Sequence, residues 1–189
     1  MPFADENAVA RPVAHRPGWA REFEALAAQL SEVLGPLARR IDHVGSTAVP
    51  GLAAKDCIDV MIRADPGDFG AITSALAAAG FRLRPEPWNR EETSFGVTSP
   101  KLVFAPSVGA RSCNVHVRAL GGPNARYALL FRDFLRADQA ARDAWSAFKS
   151  RLATQVPDLY GYGQIKAPAT EILMAAASAW ADRTGWAPD

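Results

Sequence analysis

A small-residue turn followed by a lone acid is the arrangement in this chain that could do chemistry. Gly45, Ser46 and Thr47 follow a short apolar run, and Asp59 lies inside the next apolar run. A glycine-serine turn lets backbone N–H groups approach an anion, and a following helix start adds its positive end. A carboxylate on the neighbouring strand can hold a divalent cation beside that anion. This spacing predicts a site for phosphate groups and a metal ion.

Both signals also fit structural roles. The turn lacks the lysine of a P-loop and the glycine spacing of a dinucleotide fold, so it is also compatible with an ordinary turn. Asp59 between Ile58 and Val60 needs a partner, because burying an unpaired charge is costly. That partner is a metal ion, a base such as Lys55, or solvent at a strand end. The sequence alone leaves these alternatives open.

A second polar set lies on the predicted strand 113–120. Asn114, His116 and Arg118 alternate with apolar residues and therefore share one face of that strand. This face is either exposed to solvent or forms the polar wall of a cleft. Imidazole suits a metal ligand or a general base near neutral pH. We therefore predict Asp59 and His116 as the catalytic and metal-binding residues, with Mg²⁺ or Mn²⁺ as the cofactor.

Basic side chains supply the charge that a phosphate site needs. We predict that three of them neutralise phosphate: Lys55, Arg118 and Lys166. The other basic residues of the helical segments, Lys149 among them, are expected mostly on solvated faces. Arg132 beside Asp133 on a predicted helix indicates an internal ion pair. His43, just before the turn, is expected to steady it by hydrogen bonding.

Hydrophobic periodicity gives the elements that must position these residues. Apolar residues from Trp19 to Val33 recur every three or four positions and predict a helix that ends near Gly35. Strands are predicted at 41–44, 57–63, 81–84, 101–105 and 113–120. Helices are predicted at 69–79 and, in the C-terminal third, from about 127, 140 and 168. A mobile loop is predicted at 85–92.

The bulk composition is that of one globular domain. The chain has 189 residues, 49% of them hydrophobic, and 21 Lys and Arg against 20 Asp and Glu. That balance gives no signal for nucleic acid or membrane. No signal peptide or spanning segment is visible, so we expect a cytoplasmic protein. Cys57 and Cys113 lie in apolar runs, which favours two buried thiols over a disulfide.

The motifs together resemble one known family. Residues 41–60, IDHVGSTAVPGLAAKDCIDV, are very similar to the signature of the GrpB family. The resemblance continues at 16–19 (RPGW), 114–117 (NVHV), 130–136 (LFRDFLR), Lys149 and 162–166. It implies an α+β fold of the nucleotidyltransferase type, a mixed β-sheet flanked by helices with a helical C-terminal third. The implied domain spans 1–189, with an N-terminal arm at 1–17 and a mainly helical part at 123–189.

In the nucleotidyltransferase-like superfamily, a Gly-Ser turn binds nucleotide phosphates and two or three strand acids hold the metal ions for nucleotidyl transfer. By this resemblance Gly45 and Ser46 match the turn, and Asp59 matches the first acid. Met61 occupies the place of the second acid, and His116 is expected near the third. Two-metal catalysis needs enough ligands to place both ions about 3.5–4 Å apart. One carboxylate and one histidine are few ligands for that task.

The resemblance supports two main hypotheses of function. The first is a nucleotidyltransferase-like protein that binds a nucleotide or a phosphorylated small molecule, with metal-dependent nucleotidyl transfer as its reaction. The alternative is a non-catalytic interaction or folding-assistance domain that keeps the fold, as in related domains fused after dephospho-CoA kinase. A third possibility is a metal-dependent enzyme of different chemistry that uses His116. The oligomeric state is left open.

Overall fold

A mixed sheet of six strands forms the centre of the molecule. The structure, a computed structural model, describes residues 3–6 and 9–188. The strands are β1 (Arg40–Val44), β2 (Ile58–Ala64), β3 (Arg82–Leu83), β4 (Glu91–Ser94), β5 (Val97–Ala105) and β6 (Cys113–Ala119). Their order is β1-β2-β6-β5-β3, with β4 also on β5. Of these strand pairs, β2–β6 alone is parallel.

Five α-helices surround the sheet. They are α1 (Gly18–Leu34), α2 (Phe69–Ala78), α3 (Pro123–Ala137), α4 (Gln139–Gln155) and α5 (Leu159–Thr184). Helices α1 and α2 pack on one face of the sheet, and α3 packs on the other, beside α4 and α5. The predicted α+β fold with a helical C-terminal third is therefore confirmed.

Strand alternation divides the core from the polar face. Ile58, Val60 and Ile62 of β2 are fully buried against α1 and α2. Because successive side chains of a strand point to opposite faces, Asp59 and Met61 face the other way, toward the C-terminal helices. The polar residues of β2 and β6 are thereby brought under the helical third of the chain.

The start of α1 is fixed by a tryptophan that satisfies both burial and hydrogen bonding. Trp19 is fully buried, and its indole N–H donates to Asp56 Oδ1 at 2.8 Å. Arg16 and Arg111 also contact the Asp56 carboxylate. Since Asp56 lies two residues before β2, this cluster joins the first helix to the segment that leads into the site.

The sequence predicted a loop over residues 85–92, but only part of this segment is a loop. They contain a short 3-10 turn, Pro87–Asn89, and then enter β4, in which Glu91 lies opposite Pro100 of β5. Adjacent acids at 91 and 92 obscured the strand pattern. The pairing depends on β5 and on cations that are distant in sequence. Local hydrophobic periodicity gives no information about either of them.

Helix α5 begins at Leu159, well before the predicted start near 168. The Asp158 side chain caps it by accepting the Gly161 N–H at 2.7 Å, and Pro168 lies inside the helix. Glycines at 161 and 163 lower helix propensity, so the sequence favoured a later start. Capping and packing on the other helices outweigh that cost.

The described part of the N-terminal arm is tied to the domain. Val13 forms a β-bridge with Ala54, and Asp5 pairs with Arg82. Residues 1, 2, 7, 8 and 189 of the predicted arm and domain lie outside the described residues. In the described ranges, none of the helices combines the length and the hydropathy needed to cross a membrane.

The two cysteines are free thiols, as predicted. Burial raises the pKa of Cys57 to about 11 and that of Cys113 to about 12. Both sulfurs are therefore protonated at neutral pH and are poor nucleophiles.

Candidate functional site

The Gly-Ser turn packs directly against Asp59. Strand β1 leads into Gly45, whose φ is +69°, and Ser46 then begins a single 3-10 turn that ends at Ala48. A Cβ atom at position 45 would collide with the Asp59 carboxylate. Glycine is required here for two reasons, the left-handed backbone and the absence of a side chain.

His43 stabilises the Gly-Ser turn by a hydrogen bond, as the sequence predicted. Its Nε2 lies 3.0 Å from Thr47 Oγ1, and its ring stacks on Phe23 with 4.6 Å between ring centroids. Burial lowers the pKa of His43 to about 4, so the imidazole is neutral at physiological pH. The Thr47 hydroxyl is thus engaged with His43, although Thr47 borders the cavity described below.

Asp59 is the charged centre of the polar face. The parallel register puts Asp59 beside Asn114 and Met61 beside His116. Asp59 Oδ1 accepts a hydrogen bond from Asn114 Nδ2 at 2.9 Å and lies 3.6 Å from His116 Nε2. Burial raises the pKa of Asp59, but the nearby His116 and the hydrogen bond from Asn114 outweigh it and lower the value to about 2. Burial lowers the pKa of His116 against the opposing effect of Asp59.

A buried lysine joins the helical third to the turn. Lys149 of α4 is 3% exposed, and its Nζ donates to Ser46 Oγ at 2.8 Å and to the Ala53 carbonyl at 2.5 Å. Burial, reinforced by the nearby charge of Lys166, lowers the pKa of Lys149 to about 7. Burial and the charge of Lys55 also lower the pKa of Lys166. The sequence placed Lys149 on a solvated face, and the structure corrects that prediction.

Arg118 borders the same space with its charge already balanced. Its Nε donates to Glu92 Oε1 at 2.6 Å, and Lys101 Nζ donates to Glu92 Oε2 at 2.8 Å. Burial raises the pKa of Glu92, but the two cations outweigh it and lower the value to about 2. Elsewhere on this side, Arg132 forms its predicted ion pair with Asp133 at 2.7 Å.

One cavity of about 380 Å³ collects the predicted site residues; we name it the phosphate cavity. All of them line it: Gly45, Ser46, Thr47, Lys55, Asp59, His116, Arg118 and Lys166. Lys149, Glu92 and Asn114 also line it, and sequence reasoning had not assigned them to the site. Its four basic side chains face two carboxylates, so the cavity is electropositive while His116 is neutral.

The donor set does not fit the two-ion site that the resemblance implied. Met61 is fully buried against Val44, Ala125 and Leu129, so the second acid's position is part of an apolar contact beneath α3. Within residues 3–6 and 9–188 there is no group of three or more His, Cys, Asp or Glu side chains that could hold a metal ion. Asp59 and His116 can supply one carboxylate and one imidazole, and a Mg²⁺ ion bound with substrate phosphates needs few protein ligands.

Fold and site together define a globular α+β protein with an electropositive pocket beside a glycine-serine turn. Residues 11–175 match the model of the family described as GrpB protein, and the chain belongs to that family. The crystal structure of the conserved protein GrpB from Enterococcus faecalis has the same fold, with a TM-score of 0.73 at 24% identity over 88% of this chain and 96% of that one.

The curated relatives carry two kinds of name. A dephospho-CoA kinase of Mycolicibacterium paratuberculosis is 34% identical over 96% of this chain and 49% of that protein. A UPF0157 protein of Halalkalibacterium halodurans is 31% identical over 78% of this chain and 71% of that protein. The chain thus spans about half the length of the dephospho-CoA kinases that it matches.

A weaker structural likeness links the chain to Cid1. The structure of Cid1 in complex with its short product ApU aligns with a TM-score of 0.47 and 16% identity, over 68% of this chain and 39% of that one. A likeness of this size carries no argument about the reaction.

Proposed function

We propose that the phosphate cavity binds the phosphate groups of a nucleotide or another phosphorylated small molecule. The observation that carries this proposal is the 2.8 Å hydrogen bond between Lys149 Nζ and Ser46 Oγ. It places a buried lysine side chain directly at the Gly-Ser turn. Gly45 and Ser46 would then contribute N–H and hydroxyl groups, and Lys149 would contribute charge.

The lysines support an anionic ligand because no carboxylate pairs with them directly, although Asp59 favours the charged forms of Lys149 and Lys166 from a distance. Among the described residues, Lys55, Lys149 and Lys166 have no carboxylate within ion-pair distance. Their mutual repulsion and their burial both disfavour the charged forms of Lys149 and Lys166. A phosphate group would relieve both effects, because it supplies negative charge and hydrogen-bond acceptors in the same place.

The reaction class proposed for this site is nucleotidyl transfer. In this reaction an acceptor hydroxyl bonds to the α-phosphorus of a nucleoside triphosphate, the bond to the leaving oxygen breaks, and pyrophosphate departs. His116, which lines the cavity and is neutral near pH 7, is the proposed base for the hydroxyl proton. Asp59 would hold a Mg²⁺ or Mn²⁺ ion that enters with the phosphates, and such an ion would offset phosphate charge.

Titration calorimetry with tripolyphosphate and with each nucleoside triphosphate tests the binding. We expect binding in EDTA as well as in Mg²⁺ or Mn²⁺, since lysines supply most of the positive charge. Ser46→Ala should weaken binding in both conditions. The matched control is Ser150→Ala on α4, whose hydroxyl bonds to the Ser146 carbonyl away from the cavity. Absence of binding by all of these ligands at millimolar concentration would reject the proposal.

The non-catalytic alternative is favoured by the apolar contacts of Met61. A chain that needed two acids on β2 would not bury the second position against Leu129 and Val44. In this alternative the fold serves interaction or folding assistance. Asp59→Asn separates the two cases. A transferase activity that disappears in this variant while its thermal unfolding is unchanged would exclude the alternative.

A further inference from the structure

A second cavity, of about 400 Å³, adjoins the phosphate cavity; we name it the aromatic cavity. One side is the short turn Pro87–Asn89 between β3 and β4, and another is the first part of α5. Its volume lies within the range of pockets that hold small organic ligands. Nothing in the proposed phosphate contacts uses this space.

Two large aromatic side chains from different elements line the aromatic cavity. Trp88 is 53% exposed and Tyr160 is 55% exposed. Neither ring stacks on another aromatic ring of the described chain, and neither the Trp88 indole N–H nor the Tyr160 hydroxyl has a hydrogen-bond partner there. Single exposed aromatic residues are common, but two that face one concave space provide apolar faces for a flat ligand.

Asn114 connects the two cavities. It lines both of them, and its Nδ2 donates to Asp59 Oδ1 at 2.9 Å. Its Oδ1 accepts from Arg84 Nη2 at 3.0 Å. The aromatic cavity therefore opens beside the acid of the phosphate cavity. A ligand held at the turn can extend past Asn114 toward Trp88 and Tyr160.

The remaining lining of the aromatic cavity suits the edge of a nitrogen heterocycle. Asn89 and Gln164 place amide groups there. Asn89 Nδ2 uses one N–H to donate to Glu86 Oε2 at 3.0 Å, and each amide still offers a donor and an acceptor. Bases bound by proteins outside a duplex are held in this way, with a π-face on an aromatic side chain and polar contacts at the ring edge. An aliphatic phosphate ester would leave both aromatic rings without a partner.

We propose that the aromatic cavity binds a planar heteroaromatic ring that is joined to the phosphate groups, with Trp88 and Tyr160 as its stacking residues. This inference rests on the proposed function and sharpens it, because it selects a nucleotide over a phosphorylated aliphatic molecule. It also assigns specificity to the 87–89 turn and the start of α5, neither of which contacts the phosphates.

The test compares each nucleoside triphosphate with tripolyphosphate, which carries the phosphates without a ring. In wild-type protein at least one nucleoside triphosphate should bind more tightly than tripolyphosphate. Trp88→Ala and Tyr160→Ala should each weaken binding of that nucleotide about 10-fold, as removal of a stacking ring does. Neither should change the affinity for tripolyphosphate. Trp88→Phe and Tyr160→Phe keep a ring and should retain most of the affinity.

Val108→Ala is the control, because Val108 is 71% exposed and lines neither the aromatic cavity nor the phosphate cavity. It should leave both affinities unchanged. Wild-type binding of tripolyphosphate with no gain from any base, or equal losses for both ligands in the alanine variants, would overturn this inference and leave phosphate binding intact. Loss of both affinities in Ser46→Ala with none in Trp88→Ala would support the phosphate site alone and would also reject the aromatic cavity.

Discussion

Two groups of cations lie in or beside the phosphate cavity, and they differ in how their charge is balanced. In the paired group, Arg118 and Lys101 share the carboxylate of Glu92. In the lysine group, Lys55, Lys149 and Lys166 line the cavity, and Lys149 donates only to the neutral oxygens of Ser46 and Ala53. In the paired group the charges balance one another. In the lysine group an added anion would meet cations that have no direct ion-pair partner.

This difference shows that positive charge alone does not identify a phosphate ligand. Arg118 lies on the predicted face of β6 and borders the cavity, yet Glu92 already accepts two of its hydrogen bonds. Lys149 makes contacts that hold it in place without neutralising it. The energetic distinction is that a bound phosphate would replace an existing ion pair at Arg118, but would satisfy an uncompensated charge at Lys149.

The largest expected contrast is between lysine-to-methionine changes in the two groups. Lys149→Met should weaken tripolyphosphate binding about 100-fold, because it removes a desolvated cation from the anion's side. Lys101→Met, the matched control, should have little effect on binding, since Lys101 is committed to Glu92. Titration calorimetry measures both, with thermal unfolding as the check on folding. Equal losses in the two variants would contradict the distinction between the groups.

The pH dependence of binding is the next largest effect. Lys149 has a pKa of about 7 when the site holds no anion, and a bound phosphate raises it. Below this pKa the lysine is already charged. Above it, binding must take up a proton, so the affinity should fall by up to about tenfold per pH unit until the pKa of the complex is reached.

Calorimetry in buffers of different ionisation enthalpy measures this proton uptake directly. The ligand's own ionisation contributes to the signal, so the comparison is with Lys149→Met, in which the uptake assigned to Lys149 should vanish. An identical pH profile in the two proteins would place the titrating group elsewhere.

The smallest expected effect comes from breaking the ion pairs of the paired group. Glu92→Gln should free Arg118 and Lys101 and strengthen tripolyphosphate binding roughly fivefold through added positive potential. It should also lower the free energy of unfolding by about 1–3 kcal/mol, since charged hydrogen bonds are lost. Glu91→Gln is the control on the exposed side of β4. Weaker binding in Glu92→Gln would show that the Glu92 ion pairs matter because they hold the shape of the cavity, and that the change in potential is the smaller effect.

Strand alternation explains why most of the candidate site could be predicted from sequence. Asp59, His116 and Arg118 sit on polar faces that follow from a period of two, which is a local property. The parallel register that puts Asp59 beside Asn114 joins residues 55 positions apart, and no local pattern determines it. The hairpin that brings Glu92 to Arg118 was missed for the same reason.

Lys149 is different, because the sequence did hold a signal for it. It lies four residues after Trp145 and three before Leu152, and both of these are buried. A helix places such positions on one side, so Lys149 falls within the apolar stripe of α4. A lysine on a buried stripe requires oxygen partners, and its prediction on a solvated face overlooked this requirement.

The close approach of Gly45 to Asp59 links these positions during sequence divergence. A side chain at 45 meets two penalties, a left-handed backbone and a collision with the carboxylate. Replacement of Asp59 by alanine would remove the collision with the carboxylate but leave the left-handed backbone and a close contact with Cβ of residue 59, so substitutions at the two positions cannot be additive. Family members that lose the acid are thereby released from part of the constraint on the glycine. Coupled substitutions at positions 45 and 59 would then identify, from sequence alone, the branches of the family that have lost this carboxylate.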